Sequence, residues 1–214
     1  MGRAHPPAVD EHGPDSSVLV VSPALDAFET VEHVDEVRSD GETGPVTGEN
    51  VGGAPATSNH QHSDQPLVIV SRAHTAESLL EAWRSTIGDF PRALGIISIG
   101  ELTRSVAAGA GTVELPQAHI RTVGAEDVTG VGIAIGEMLS QYDDDQTPIL
   151  WFESLTPMVE HKGLEMTFRF LHVTLEQISR SEAVAYVHVD ASELDDQTVT
   201  TLGHLFDDVV ELEA

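Results

Sequence analysis

Four consecutive large apolar residues, Ile149-Leu-Trp-Phe152, stand between Thr147-Pro148 and Glu153-Ser154-Leu155-Thr156-Pro157. A run this short, apolar on both alternating faces, suits a strand buried in the middle of a parallel sheet and covered by helices on each side. Polar residues at the carboxyl end of such a strand sit where open α/β sheets bind ligands. The same residues also describe a core strand followed by a capped turn.

The surrounding pattern from Pro66 onward agrees with a layered α/β domain. Leu67–Val70 reads as a strand, and Thr75 as the N-cap of a helix carrying Leu79, Leu80, Trp83 and Ile87. Ala93–Ile99 and Ala118–Val123 read as further strands, separated by a stretch rich in small residues, Val106-Ala-Ala-Gly-Ala-Gly-Thr112. Asp127 is placed to cap a helix with Val128, Val131, Ile135, Met138 and Tyr142 along one face. After Pro157 the spacing of Leu164, Phe168, Leu171, Leu175 and Ile178 predicts one long helix over 161–180. Ala183–Val189 is a strand, Ser192 with Asp195 opens a helix through Val199 and Leu202, and Asp208–Leu212 is a final strand. Strands alternating with helices of this length specify a largely parallel sheet.

Residues 1–65 read differently. They carry 12 acidic residues against Arg3 and Arg38, and between Ser39 and Gln65 no apolar residue is larger than valine. A segment with so little to bury cannot offset its ordering entropy, so a disordered acidic tail is expected there, with the folded domain spanning 66–214. His60-Gln-His62 within it is too sparse to define a metal tract. An island at 18–31, Val-Leu-Val-Val-Ser-Pro-Ala-Leu-Asp-Ala-Phe-Glu-Thr-Val, looks like a short strand and the start of a helix. If ordered, it would dock as an edge element or serve as a partner-binding peptide. It also echoes 67–80, with Val21/Val70, Ser22/Ser71, Ala24/Ala73 and Ala27/Ala76 in register, as two strand–turn–helix starts can do by chance.

Charge narrows the environment. Across 214 residues, 36 Asp and Glu face 10 Lys and Arg, a formal charge of −26, and Lys162 is the single lysine. A surface this negative repels nucleic-acid phosphates and anionic lipids, so neither is an expected partner. At molar salt the Debye length falls to about 3 Å and the self-repulsion is screened, which fits a salt-accumulating halophile. With no cysteine there are no disulfides or thiolate metal sites. No apolar stretch is long enough for a membrane span and the first residues lack a secretory apolar core, so a cytoplasmic protein is expected.

In this setting Ile149-Leu-Trp-Phe-Glu153-Ser154-Leu155-Thr156 resembles the Walker B strand of KaiC-like and RecA-like ATPases, an apolar run followed by Asp-Ser-Leu. Phe168-Arg-Phe-Leu-His172 resembles the helix after it, and Asp190 with His204-Leu-Phe-Asp207-Asp-Val-Val-Glu-Leu212 resembles the terminal strand–helix–strand. More narrowly, the chain is similar to small acidic haloarchaeal proteins of unknown function that look like KaiC-type domains without their catalytic loop. The resemblance covers about 66–214 and implies a three-layer α/β/α RecA-like domain.

Where the resemblance puts a phosphate-binding loop, the chain reads Ser71-Arg-Ala-His-Thr-Ala-Glu-Ser78, without glycine or lysine. A P-loop needs both, to wrap the phosphates in backbone N–H groups and to reach the terminal phosphate. Glu153 replaces the metal-associated Asp with a side chain one methylene longer. The implied role is therefore non-catalytic: a pseudo-ATPase regulatory or scaffold module acting through protein contacts or self-association, with no cofactor and no metal. A residual nucleotide sensor would use Arg72, His74, Glu153 and Ser154, the first two at a helix N-terminus. An enzyme of another class would use the strand-end carboxylates Glu101 and Glu153. Ser71, Ser98 and Ser154 end strands without a recognisable His/Asp motif. His172 and His188 read as core or interface histidines.

Overall fold

A computed structural model describes residues 15–39, 65–100, 118–143 and 146–212. In chain order the elements are β1 (Ser17–Ser22), α1 (Ala27–Ser39), β2 (Leu67–Ser71), α2 (Ala76–Thr86), β3 (Leu94–Gly100) and β4 (Ala118–Gly124). They continue as α3 (Val128–Leu139), β5 (Ile149–Phe152), α4 (Thr156–Lys162), α5 (Leu164–Ser179), β6 (Val184–Asp190), α6 (Asp196–Gly203) and β7 (Asp208–Glu211). The strands form one sheet in the order β4-β3-β2-β5-β6-β1-β7, and every neighbouring pair is parallel.

The direction of travel decides which face each helix covers. From β1 the chain steps past β6 and β5 to β2, then outward to β3 and β4; it returns to β5 and β6 and finally crosses β1 to β7. Right-handed crossovers made in opposite directions place their helices on opposite faces. Accordingly, α1 and α2 pack on one face, where Val31, Val34, Leu79 and Trp83 meet Ile69, Trp151 and Tyr186. On the other face α3 to α6 bring Ile135, Phe170, Leu171 and Leu202 against Leu19, Val70, Phe152 and Val187. Gly132 and Gly136 let α3 approach α5: a Cβ at Gly136 would collide with the Gln177 side chain.

As the apolar run predicts, β5 lies mid-sheet between β2 and β6 with all four residues buried. The caps at Thr75 and Asp127 form as read, each side chain accepting a backbone N–H three residues on. The helix α6 opens later than expected, with Asp195 rather than Ser192 as its cap, accepting from Thr198 N, while Ser192 bonds back to Asp190.

Three expectations change. The island at 18–31 is no edge element: β1 is hydrogen-bonded to β6 on one side and β7 on the other. It lies N-terminal to the expected boundary at residue 66, yet it belongs to the same sheet and both cores. Val18, Leu19, Val20 and Val21 are buried, and full burial of each such side chain contributes roughly 1.5–3 kcal/mol. The remainder of the expected tail (1–14 and 40–64) and the small-residue stretch 106–112 lie outside the described residues. Finally, the long helix over 161–180 is two helices broken at Gly163, whose φ of 81° suits glycine. The buried side of α5 is Thr167, Phe170, Leu171, Thr174 and Ile178, with Leu164 and Leu175 packed at its margin and Phe168 only half-buried. Phe170 turns inward because its ring meets Phe152 edge-on at 6.3 Å.

Candidate functional site at the carboxyl edge of the sheet

Ligands of open α/β sheets collect at the carboxyl ends of neighbouring strands whose helices leave toward opposite faces. Two strand pairs satisfy this here, β2 with β5 and β1 with β6. All four of these strands end in buried polar residues: Ser71, Glu153, Ser22, and His188 with Asp190. A buried polar group without a partner costs free energy, so the partners define what the edge is for.

Glu153 is 1% exposed and lies under α1. Its Oε1 accepts a hydrogen bond from Thr30 Oγ1 of α1 at 3.2 Å. His74 Nδ1, from the loop between β2 and α2, donates to the same oxygen. The Glu153 backbone N–H donates to Val70 O at 2.8 Å, continuing the pairing of β5 with β2. The second carboxylate oxygen, Oε2, is buried without a hydrogen-bond partner among the described residues, as is Trp151 Nε1 two residues earlier on the same face of the strand. The His33 and Tyr186 rings both stack on Trp151, with centroids at 6.5 and 6.0 Å.

Beside Glu153, His188 ties β1 to the end of β5. Its Nδ1 is 2.6 Å from Glu153 O and its Nε2 is 2.9 Å from Ser22 Oγ. A carbonyl can only accept, so Nδ1 carries the proton, and in the neutral ring Nε2 accepts the Ser22 hydroxyl proton. Ser22 Oγ also lies 2.9 Å from Pro23 O, the alternative acceptor for that proton. Burial pushes the His188 pKa below its ordinary value, partly opposed by the hydrogen bonds to backbone carbonyls. The β5–α4 loop is pinned to β6 as well, through Leu155 N to His188 O and Asp190 N to Thr156 Oγ1, both 2.8 Å. Asp190 Oδ1 in turn accepts from Ser192 N and Oγ.

Ser22 and His188 form the arrangement that sequence reading misses. They are 166 residues apart, so no local spacing links them; the available signal is that each directly follows a buried run of four residues, Val18–Val21 and Val184–Val187. The pair has the hydroxyl-to-imidazole contact of an activated nucleophile. Both residues are nevertheless buried, and a backbone carbonyl stands where a carboxylate orients the base in a triad.

The residues expected around one phosphate site separate into two groups. His74 and Glu153 meet on the α1/α2 face. Arg72 and Ser154 instead line a shallow crevice on the other face with Lys162, Phe152 and Met158. Arg72 Nη1 donates to Ala125 O at 3.1 Å, in the β4–α3 loop. Glu101 lies outside the described residues. Neither loop that leaves β1 or β2 contains glycine, and both helices that follow cap themselves. Asp26 Oδ1 accepts from Phe28 N and Glu29 N, while Glu29 Oε2 accepts from Asp26 N. Thr75 Oγ1 accepts from Ser78 N. Part of the backbone donor set that would bind a phosphate at these helix starts is therefore taken by the chain's own side chains: Phe28 N and Glu29 N in α1 and Ser78 N in α2. Among the described residues no cluster of three His, Asp or Glu is placed to hold a metal ion. No described helix is long and apolar enough to cross a membrane.

Residues 43–212 match a family described as a family of unknown function, DUF7504. The match begins after β1 and α1. No curated protein matches the chain. Among solved structures the chain is similar to a protein from Pyrococcus horikoshii OT3, at 12% identity and a TM-score of 0.55, over 94% of this chain and 83% of that one. That likeness shows the fold alone.

Proposed function

The chain belongs to this family of unknown function, and from its own residues we propose that it is a non-catalytic regulatory or scaffold module, a RecA/KaiC-like domain that has exchanged nucleotide chemistry for internal structure. The observation that carries this reading is the state of Glu153. In the resembling ATPases the acidic residue at this position serves the metal. Here it is buried and bonded to Thr30 and His74, so it joins α1 and the β2–α2 loop to the centre of the sheet. The self-capped starts of α1 and α2 support the same reading, since side chains of the chain already hold Phe28 N, Glu29 N and Ser78 N, donors a phosphate would compete for. The sensor alternative needs Arg72, His74, Glu153 and Ser154 around one phosphate, and their division between two faces weighs against it.

On this reading the protein works through contacts with a protein partner or with itself. The high negative charge points to a halophilic cytoplasm in which molar salt screens its self-repulsion. The test is thermal unfolding of the full chain in molar KCl with and without Mg-ATP or Mg-GTP. A ligand at one hundred times its Kd adds about 2.7 kcal/mol and raises the melt by several degrees. No nucleotide-specific shift up to millimolar concentration is expected. A shift larger than the one given by equal inorganic phosphate, and lost in Glu153→Gln, would overturn the reading.

A further inference from the structure

The crevice on the α3/α4 face lies at the β2/β5 divide, where α2 leaves toward one face and α4 toward the other. It is separate from the Glu153 cluster, and its chemistry is unusual for this chain. Only 10 of the 214 residues are Lys or Arg, yet Arg72 and the single lysine, Lys162, both line it. Ser154 adds a hydroxyl, and Phe152, Met158 and Val131 make an apolar floor. Cations over such a floor interact more strongly with an anion than they would in open water.

One anion already pairs with this lysine. Glu126, from the β4–α3 loop, accepts a hydrogen bond from Lys162 Nζ, although the Glu126 side chain is 78% exposed. Its carboxyl is held below the usual range, first by the hydrogen bond and charge of Lys162, then by Arg72 and His161. The space left in the crevice is about 10 Å³, room for roughly one water. An outside anion therefore binds at the mouth of the crevice by exchanging with the Glu126 carboxylate on Lys162; the exposure of Glu126 leaves it free to swing into solvent.

We propose that the Arg72–Lys162 crevice is a binding site for a small oxyanion, a carboxylate or phosphate group, and that Glu126 is its built-in, displaceable competitor. Binding would release the β4–α3 loop from α4, a local rearrangement that a partner protein can read. The site uses no residue of the Glu153 cluster, so it stands or falls independently of whether nucleotide binds there.

The test is a titration of the full chain with potassium phosphate and, separately, potassium acetate, replacing KCl at constant ionic strength. Backbone amide NMR shifts of Ala125, Ser154 and Gly163 are followed. Saturable shifts are expected in the wild type. In Glu126→Gln affinity should rise roughly twofold to fivefold, the scale of one exposed ion pair. Arg72→Gln and Lys162→Gln, each checked for an unchanged melt, should abolish saturation. Saturation with phosphate alone would assign a phosphate group to the site, and saturation with acetate alone a carboxylate. Shifts that stay linear in both salts, or that are the same in Glu126→Gln and Lys162→Gln as in the wild type, would overturn the proposal.

Discussion

In both β1–α1 and β2–α2 a buried run of four apolar residues ends in a serine, and the helix cap follows four residues later. The pairs are Ser22 with Asp26 and Ser71 with Thr75. Both helices pack on the same face of the sheet. The hydroxyls are used differently. Ser71 closes its own loop, accepting from His74 N and donating to His74 O, both at 2.9 Å. Ser22 reaches across to His188 on the neighbouring strand. The local sequence builds the same unit twice, and the neighbouring strand decides what its terminal serine does. Each unit then sends one side chain, Thr30 or His74, to the same oxygen of Glu153.

The most severe way to break this comparison is to remove one unit. A chain beginning at residue 40 retains the whole family match but loses the strand that separates β6 from β7. It should lack a cooperative thermal transition, because the lost burial is comparable with the whole stability of a domain, about 5–15 kcal/mol. A cooperative melt near that of the full chain would mean that β1–α1 is an accessory.

The paired substitutions Ser22→Ala and Ser71→Ala sharpen it. Ser22→Ala leaves the His188 Nε2 acceptor buried and unpaired, a cost of about 1–3 kcal/mol. Ser71→Ala leaves groups in a partly exposed loop that water can reach, so about 1 kcal/mol or less is expected. Urea midpoints of the two variants measure the difference, and equal losses would remove the distinction.

A smaller effect is expected with pH. Burial lowers the folded-state pKa of His188 beneath its ordinary 6.5. As pH falls below about 6.5, the unfolded chain takes up a proton that the folded chain resists, so stability declines until the folded-state pKa is passed. Above 6.5 the ring is neutral in both states and its contribution is constant. The urea midpoint of the wild type should therefore fall between pH 7.5 and 5 more steeply than that of His188→Gln.

Much of this architecture is legible in the residues themselves. The strands from Leu67 onward, the mid-sheet place of Ile149–Phe152 and the caps at Thr75 and Asp127 follow from apolar period and short-range hydrogen bonding. The place of β1 does not. Its flanks are acidic and rich in Gly and Pro, and nothing near Val18 encodes pairing with Val184–Asp190 or Asp208–Glu211 far along the chain. The echo between 18–31 and 67–80 is the one local sign that the two segments are equivalent units. The site divides in the same way. Glu153 is readable as the polar end of a buried strand, and His74 as the loop residue before a helix. The Ser22–His188 bond and the Thr30 contact depend on strand order, which no local pattern specifies. The separation of Arg72 from His74 depends on which way neighbouring loop residues point.

The central claim is that Glu153 is committed to holding the two strand–loop–helix units together. A double-mutant cycle on Glu153→Gln and His74→Ala, read from urea unfolding at pH 7.5, tests it most directly. Residues joined in one buried network couple by about 0.5–3 kcal/mol. The account predicts a favourable coupling in that range, with each single variant destabilised. Additive losses, or a Glu153→Gln protein more stable than the wild type, would contradict it and mark Glu153 as a strained carboxylate kept for a ligand.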